Sequence, residues 1–187
     1  MNSGRFQEAI QRIDDANGQD PRGIELPYAR RLSAWVERLA PDASETLRLA
    51  VRSQHICRWM IPRESYPTGR IGYLKWRGDL KQFHAEKTGE VLREVGYDDA
   101  TIARVQNLIR KRNFPRDAEG RVLEDALCLV FLETQFAETT VKTGDEKMVG
   151  ILQKTWRKMT PQAQQIAFSL PMSPECRGLV EKALASV

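Results

Sequence analysis

The chain is poor in the residues from which metal and redox centres are usually built. Its three cysteines, Cys57, Cys128 and Cys176, form no CxxC pair, and it has only two histidines, His55 and His84. Scattered thiols, two of them inside apolar helical patterns, read as buried reduced cysteines of a cytoplasmic protein, not as a disulfide framework or a cysteine-ligated metal. No run approaches the roughly 18 apolar residues needed to span a bilayer. The start, MNSGRFQEAI, is polar and lacks the apolar region of an export signal. No membrane partner is expected. Carboxylates are scarce where cations gather: between residues 52 and 84 there are five arginines, and the acids are Glu64 and Asp79.

Over 187 residues the formal net charge is +4. That surplus suits an anionic small molecule or RNA, and falls short of the Lys/Arg-rich tail of a dedicated nucleic-acid binder. The length is that of one domain with one substantial core, so a single domain over 1–187 is expected. The sequence leaves the oligomeric state open.

What is present has a helical period. Phe6, Ala9, Ile10 and Ile13 share one face, as do Leu32, Trp35, Val36 and Leu39 in a helix opened by Pro27. Asp42 with Glu45 reads as a capping box. The next helix is expected to carry Leu47, Val51, His55 and Trp59 at i+4 steps and to close at Pro62. The prolines and glycines of 62–75 predict an ordered loop. Leu80, His84, Val91 and Val95 follow on a helix capped by Gly96, then Ile102, Val105, Leu108 and Ile109 behind Asp98 or Asp99. The segment VLEDALCLVFLETQF is apolar almost all round and is expected to be the central buried helix. Helices are also read over 145–158, over 161–170 with Thr160 as cap, and from Ser173 onward. No segment reads as a strand, so the fold class is all-α.

The stretch 52–84 interleaves cations with Trp59, Tyr66, Tyr73, Trp76 and Phe83, a composition that suits a flat or phosphorylated anionic ligand. Arg63, Arg70 and Arg77 recur at steps of seven and, with Tyr73 and Trp76, read as an anion clamp. His55 lies near Gln54, Arg52 and Arg58, and neighbouring arginines favour a neutral imidazole able to accept a proton. His84 sits on an apolar stripe, and either histidine taken alone also fits a satisfied core position. Asp125, inside so apolar a helix, must be paired, bind a metal or be protonated. Glu124 beside it is free to face water.

The order of helices from HAEKTGEVLREVGYDDATIARVQNLIRKRN to LEDALCLVF resembles the second half of HD-superfamily phosphohydrolase domains, over about 26–131, with helices of 145–187 packed on that core. The resemblance places His55 at the histidine of the HD doublet, Ile56 at its aspartate, Tyr28 at the first histidine and Asp125 at the last aspartate. His84 matches an auxiliary histidine. Two of four ligands remain, which implies a degenerate site with no metal and no cofactor. Over nearly the whole length, QHICRW, IPRESYP and LEDALCLVFLE are similar to the family called domain of unknown function 4202. Some of its members carry the name glutamyl-tRNA synthetase, whose HIGH and KMSKS-type signatures this chain lacks.

The expected function is binding of a phosphorylated or nucleotide-like anion. The pocket would lie between the helix of His55, the loop 62–75 and the start of the helix of Asp125. Arginines, Arg58 among them, would hold the anion, with Trp59, Tyr73 or Trp76 against a ring. One alternative is an HD-like phosphohydrolase using His55 and Asp125, its metal completed by Gln54 or Glu124. The other is an RNA- or protein-interaction module docking through the basic loop.

Overall fold

In the computed structural model, which describes residues 3–185, the chain is all-α: ten α-helices and two short 3-10 helices, with no strand among the described residues. It divides into two compact units, Met1–Gly120 and Arg121–Val187.

The first unit holds α1 (Ser3–Gly18), α2 (Glu25–Leu39), α3 (Glu45–Arg52), α4 (Gly69–Glu94) and α5 (Asp99–Ile109). Helix α5 packs on α3 and α4, and α1 packs on α2, α3 and α4. Ile13, Leu32, Leu47, Ile56, Leu80, Leu92 and Leu108 are fully buried between them. Their burial supplies most of the driving force, at about 1.5 to 3 kcal/mol per large side chain before the entropy of ordering is set against it.

Helix ends are satisfied locally, in part by residues other than those the sequence pointed to. The start of α3 is capped by Ser44, whose hydroxyl accepts from the Leu47 amide at 3.1 Å. The expected Asp42–Glu45 box does not form, because the Glu45 carboxylate instead accepts a 2.5 Å hydrogen bond from the Tyr97 hydroxyl. Asp98 caps α5 through the Thr101 amide, 2.8 Å. At the end of α4, Gly96 takes φ +84°, and the Tyr97 amide reaches back to the Leu92 carbonyl while that of Gly96 reaches Arg93. Those paired contacts are the Schellman arrangement that glycine makes possible.

Two boundaries differ from the periodicity. Helix α3 stops at Arg52, so His55 and Trp59 are not on it. The Ser53 hydroxyl takes the Leu49 carbonyl, and Cys57 adopts a left-handed φ of +52° with its amide on Asn17 Oδ1, which turns the chain. Short 3-10 helices at Arg58–Met60 and Arg63–Ser65 follow. Helix α4 then begins at Gly69, well inside the expected 62–75 loop, and carries Arg70, Tyr73, Trp76 and Arg77 as helical residues. Its inward stripe, Gly72, Trp76, Leu80, His84 and Thr88, runs at steps of four.

The second unit holds the remainder of α6 (Ala118–Thr134), then α7 (Phe136–Thr143), α8 (Asp145–Trp156), α9 (Pro161–Ser169) and α10 (Pro174–Leu184). Helix α8 packs on α7 and α10. Thr160 and Ser173 cap α9 and α10 by accepting from Ala163 and Cys176, each followed by proline at the first helical position. Helix α7 was not foreseen. All three cysteines are buried and form no disulfide with one another. Among the described residues no helix is long and apolar enough to cross a membrane.

Gly72 is the tightest backbone approach in the first unit. A Cβ there would stand 1.9 Å from the Pro67 carbonyl oxygen, so α4 can start against the 62–68 loop only without a side chain. Gly72→Ala is expected to destabilise the first unit by about 1 to 3 kcal/mol, read as a lower urea midpoint. Gly78→Ala, with nothing within 4 Å of its Cβ position, should be neutral or slightly stabilising.

Candidate functional site

The polar centre of the first unit starts from Asp20. The residue at the start of α2, Ile24, has no capping side chain, so Asp20 does the work from four residues earlier: its carboxylate accepts from Ile24 at 2.9 Å, Glu25 at 3.2 Å and Arg22 at 3.1 Å. Burial alone would raise its pKa, but the three amides outweigh burial and hold it below the usual value. Glu25, anchored by that cap, points its carboxylate into the unit and is 3% exposed.

Around Glu25 the chain gathers groups from four segments. Arg22 lies 3.6 Å from its Oε1, and His55 Nδ1 lies 3.7 Å from its Oε2. Tyr28, one turn along α2, stacks flat on the His55 ring, with centroids 4.4 Å apart and planes 7° from parallel. On the other side of His55 stands His84 of α4, ring to ring at 5.8 Å. The Nδ1 atom of His84 hydrogen-bonds to the Ile56 carbonyl at 2.8 Å, which makes it the protonated nitrogen of a neutral ring. Its Nε2 is buried with no partner among the described residues.

Burial pushes the His55 pKa well below the ordinary value, and Arg58, His84, Arg77 and Lys111 push it the same way. Burial likewise takes His84 down to about 4. The Glu25 carboxyl moves oppositely: burial raises it to about 7 against the pull of Arg58 and Arg22. Two neutral imidazoles and a carboxyl that is half-protonated near neutrality thus sit among the cations Arg22, Arg58, Arg77 and Lys111.

Beside this cluster opens a cleft of about 480 Å³, whose walls include Arg22, Arg58, Trp59, Arg63, Glu64 and Trp76. The Arg58 guanidinium lies over the Trp76 ring, 4.7 Å from its centroid, and the indole N–H donates to the Ile61 carbonyl at 2.9 Å. A guanidinium held on an aromatic face is pre-oriented, so less rotamer entropy remains to be lost when an anion arrives. Burial depresses the Arg58 pKa, while leaving the side chain charged at any ordinary pH.

The expected residues divide as follows. Tyr28, His55 and His84 come together, and Arg58, Trp59, Arg63 and Trp76 line the cleft. Arg63 is partly spent on structure, since its guanidinium donates to the carbonyls of Tyr66 and Pro67. Arg77 is half-buried and acts electrostatically on His55. Arg70 is exposed, Tyr73 is 47% exposed with its ring tilted against Trp76, and neither lines the cleft. The steps of seven that joined Arg63, Arg70 and Arg77 therefore do not build one clamp, because the first sits before α4 and the other two lie on it. Gln54 is buried, with Oε1 unpartnered among the described residues. Sequence reasoning missed Asp20, Arg22, Glu25 and Lys111; the i, i+3 spacing of Glu25 and Tyr28 on one helix face was the available signal.

Asp125 belongs to the second unit, where it accepts from the Thr160 amide at 2.8 Å and the Thr160 hydroxyl at 2.6 Å, tying α6 to the first turn of α9. Burial raises its pKa and those two bonds oppose the rise. Glu124 does not face water: it is buried, with Lys158 Nζ at 3.1 Å.

Stability should depend on pH in two opposed ways. Glu25, with its folded pKa raised to about 7, contributes fully below its unfolded value near 4.5 and loses that contribution as pH rises through about 7, a loss on the order of 3 kcal/mol. His84, depressed to about 4, contributes fully above about 6.5 and loses its share as pH falls through about 4. Glu25→Gln should therefore unfold at a higher temperature than wild type at pH 8, with little difference at pH 5. Asp125→Ala should cost about 2 to 3 kcal/mol in urea unfolding by leaving the Thr160 donors without an acceptor.

Comparison with known proteins adds one match. No curated protein and no solved structure matches the chain. The family described as Domain of unknown function (DUF4202) matches residues 7–180, nearly the whole length, and the chain belongs to that family.

Proposed function

We propose that this protein binds a phosphorylated or nucleotide-like small anion in the cleft lined by Arg22, Arg58, Trp59, Arg63 and Trp76. The observation that carries the reading is Arg58, fixed over Trp76 at the cleft wall in a neighbourhood where cations outnumber ionised acids. The anion would sit on Arg22 and Arg58, and Trp59 offers an aromatic surface to a base or sugar. Cytoplasm, where the three free thiols stay reduced, is the setting that fits.

A second reading, an HD-like core with a degenerate site and hydrolytic activity, is favoured by one observation. Tyr28, which the resemblance sets in place of a metal-binding histidine, lies directly on His55. The donor set does not fit a divalent ion. Among the described residues no three His, Cys, Asp or Glu side chains group as a metal site, and a tyrosine hydroxyl is a poor zinc ligand below its pKa of about 10. A hydrolytic role would fall to His55 as proton acceptor. Phosphate release from a bound ester, lost in His55→Gln with binding retained, is its measurement.

Thermal-shift titration with phosphate, mononucleotides and sugar phosphates tests the leading reading. At least one should stabilise the wild type, and Arg58→Ala should weaken that ligand by about 2 to 3 kcal/mol, roughly 30- to 150-fold. Arg70→Ala should bind as wild type does. If no anion stabilises the wild type, the cleft is not an anion site. A steep fall in affinity for RNA as salt rises would instead favour the nucleic-acid alternative.

A further inference from the structure

Resting on that anion site, we propose that anion binding in the cleft takes up a proton at Glu25, because the bound anion and the Glu25 carboxylate compete for the charge of Arg22 and Arg58. The geometry has three parts. Arg22 faces both ways: it lines the cleft, and its Nη2 lies 3.6 Å from Glu25 Oε1, while Arg58 on the same cleft wall also favours the ionised carboxylate. Glu25 is almost wholly buried, and Arg22 and His55 stand at 3.6 and 3.7 Å, ion-pair range and not hydrogen-bond length. The Arg22 pair is too long to be a hydrogen bond, so it holds the carboxylate by charge alone. Its backbone amide is held by the Asp20 cap, which fixes where the side chain leaves the start of α2.

The charges that face Glu25 come from every neighbouring segment. Asp20, from the turn before α2, disfavours its ionisation, while Arg22 and Arg58 favour it. Tyr28 on the same helix stacks against His55 and adds no charge near neutrality. His55 and, from α4, His84 are held neutral by burial and by the cations Arg58, Arg77 and Lys111. Neither histidine can supply the proton-dependent charge around pH 7. Glu25, which titrates near 7, can. A dianion placed against Arg58 neutralises the main charge that stabilises the Glu25 carboxylate and adds its own repulsion, so both effects favour the protonated carboxyl. By reciprocity, ionising Glu25 as pH rises weakens the anion.

Sulfate is the probe, since it stays a dianion across the range of interest while phosphate does not. With the full chain, titration calorimetry between about pH 6 and pH 8.5 should show affinity falling with pH, approaching tenfold per unit above about 7. In two buffers of different ionisation heat, the apparent binding enthalpy should differ by the heat of close to one proton taken up at about pH 8.5 and of at most about half a proton near pH 7. Glu25→Gln should bind sulfate with little pH dependence and no proton uptake, whereas His55→Gln should keep both. Sulfate binding that is independent of pH in the wild type overturns the coupling and leaves the anion site standing. Loss of linkage in His55→Gln, with Glu25→Gln unchanged, overturns the assignment to Glu25. Absence of binding by sulfate and phosphate at any pH overturns the site itself. The wild-type proton count stands even where Glu25→Gln fails to fold.

Discussion

The turn that follows α3 takes the chain out of the helix inside the first unit, and side chains from three helix ends and faces tie it down. Ser53 ties back to Leu49, the Cys57 amide is held by Asn17 of α1, and the Ile56 carbonyl is held by His84 of α4. A backbone that leaves a helix in the core must find partners for its polar groups, and here they come from two other helices as well as from α3 itself. The consequence is positional. His55 is carried between Tyr28 and His84, and Arg58 emerges against Trp76 at the cleft. Loosening the turn would displace His55 and Arg58 together.

The same burial that orders the cluster decides its charge. Desolvation penalises ionised forms, so it drives both histidines neutral and lifts the Glu25 carboxyl to about 7, yet it cannot neutralise an arginine. The polar centre therefore keeps the charge of its arginines while its histidines are neutral and Glu25 is only partly ionised; Asp20, held by three amides, remains its charged acid. A cleft beside such a centre favours anions without needing a large net charge on the protein, which is only +4.

The helical class was legible because caps and apolar stripes agree along most of the chain. Thr160 before Pro161, Asp98 before α5 and Gly96 after α4 each stand where the sequence points. The errors fall where tertiary contacts override local pattern. Leu47, Val51, His55 and Trp59 keep a perfect helical step, but the chain leaves the helix because Asn17, forty residues away, supplies the partner for Cys57. The start of α4 was hidden for the opposite reason. Its inward stripe is built of Gly72, Trp76, His84 and Thr88, while Ile71 and Leu74 lie on its exposed face at 87% and 56%, so apolarity does not mark the buried side. Glu25 was missed because its i, i+3 spacing from Tyr28 marks a shared helix face and does not say that the face is buried.

Asp125 shows how a correct physical inference can leave the role open. A carboxylate in that apolar helix had to be satisfied, and it is, by the amide and hydroxyl of a single threonine. Thr160 thereby acts twice: its hydroxyl donates to Asp125 and accepts from the Ala163 amide, so the cap of α9 and the tie to α6 are one network. The Thr160 donors occupy both carboxylate oxygens, and that arrangement organises the second unit from inside. In the first unit the corresponding buried acid, Glu25, has cations and a histidine at longer range and no such pair of donors. The difference in partners separates their parts: a carboxylate held by two short donors is fixed in place, whereas one held only by charge can exchange its partner for an anion.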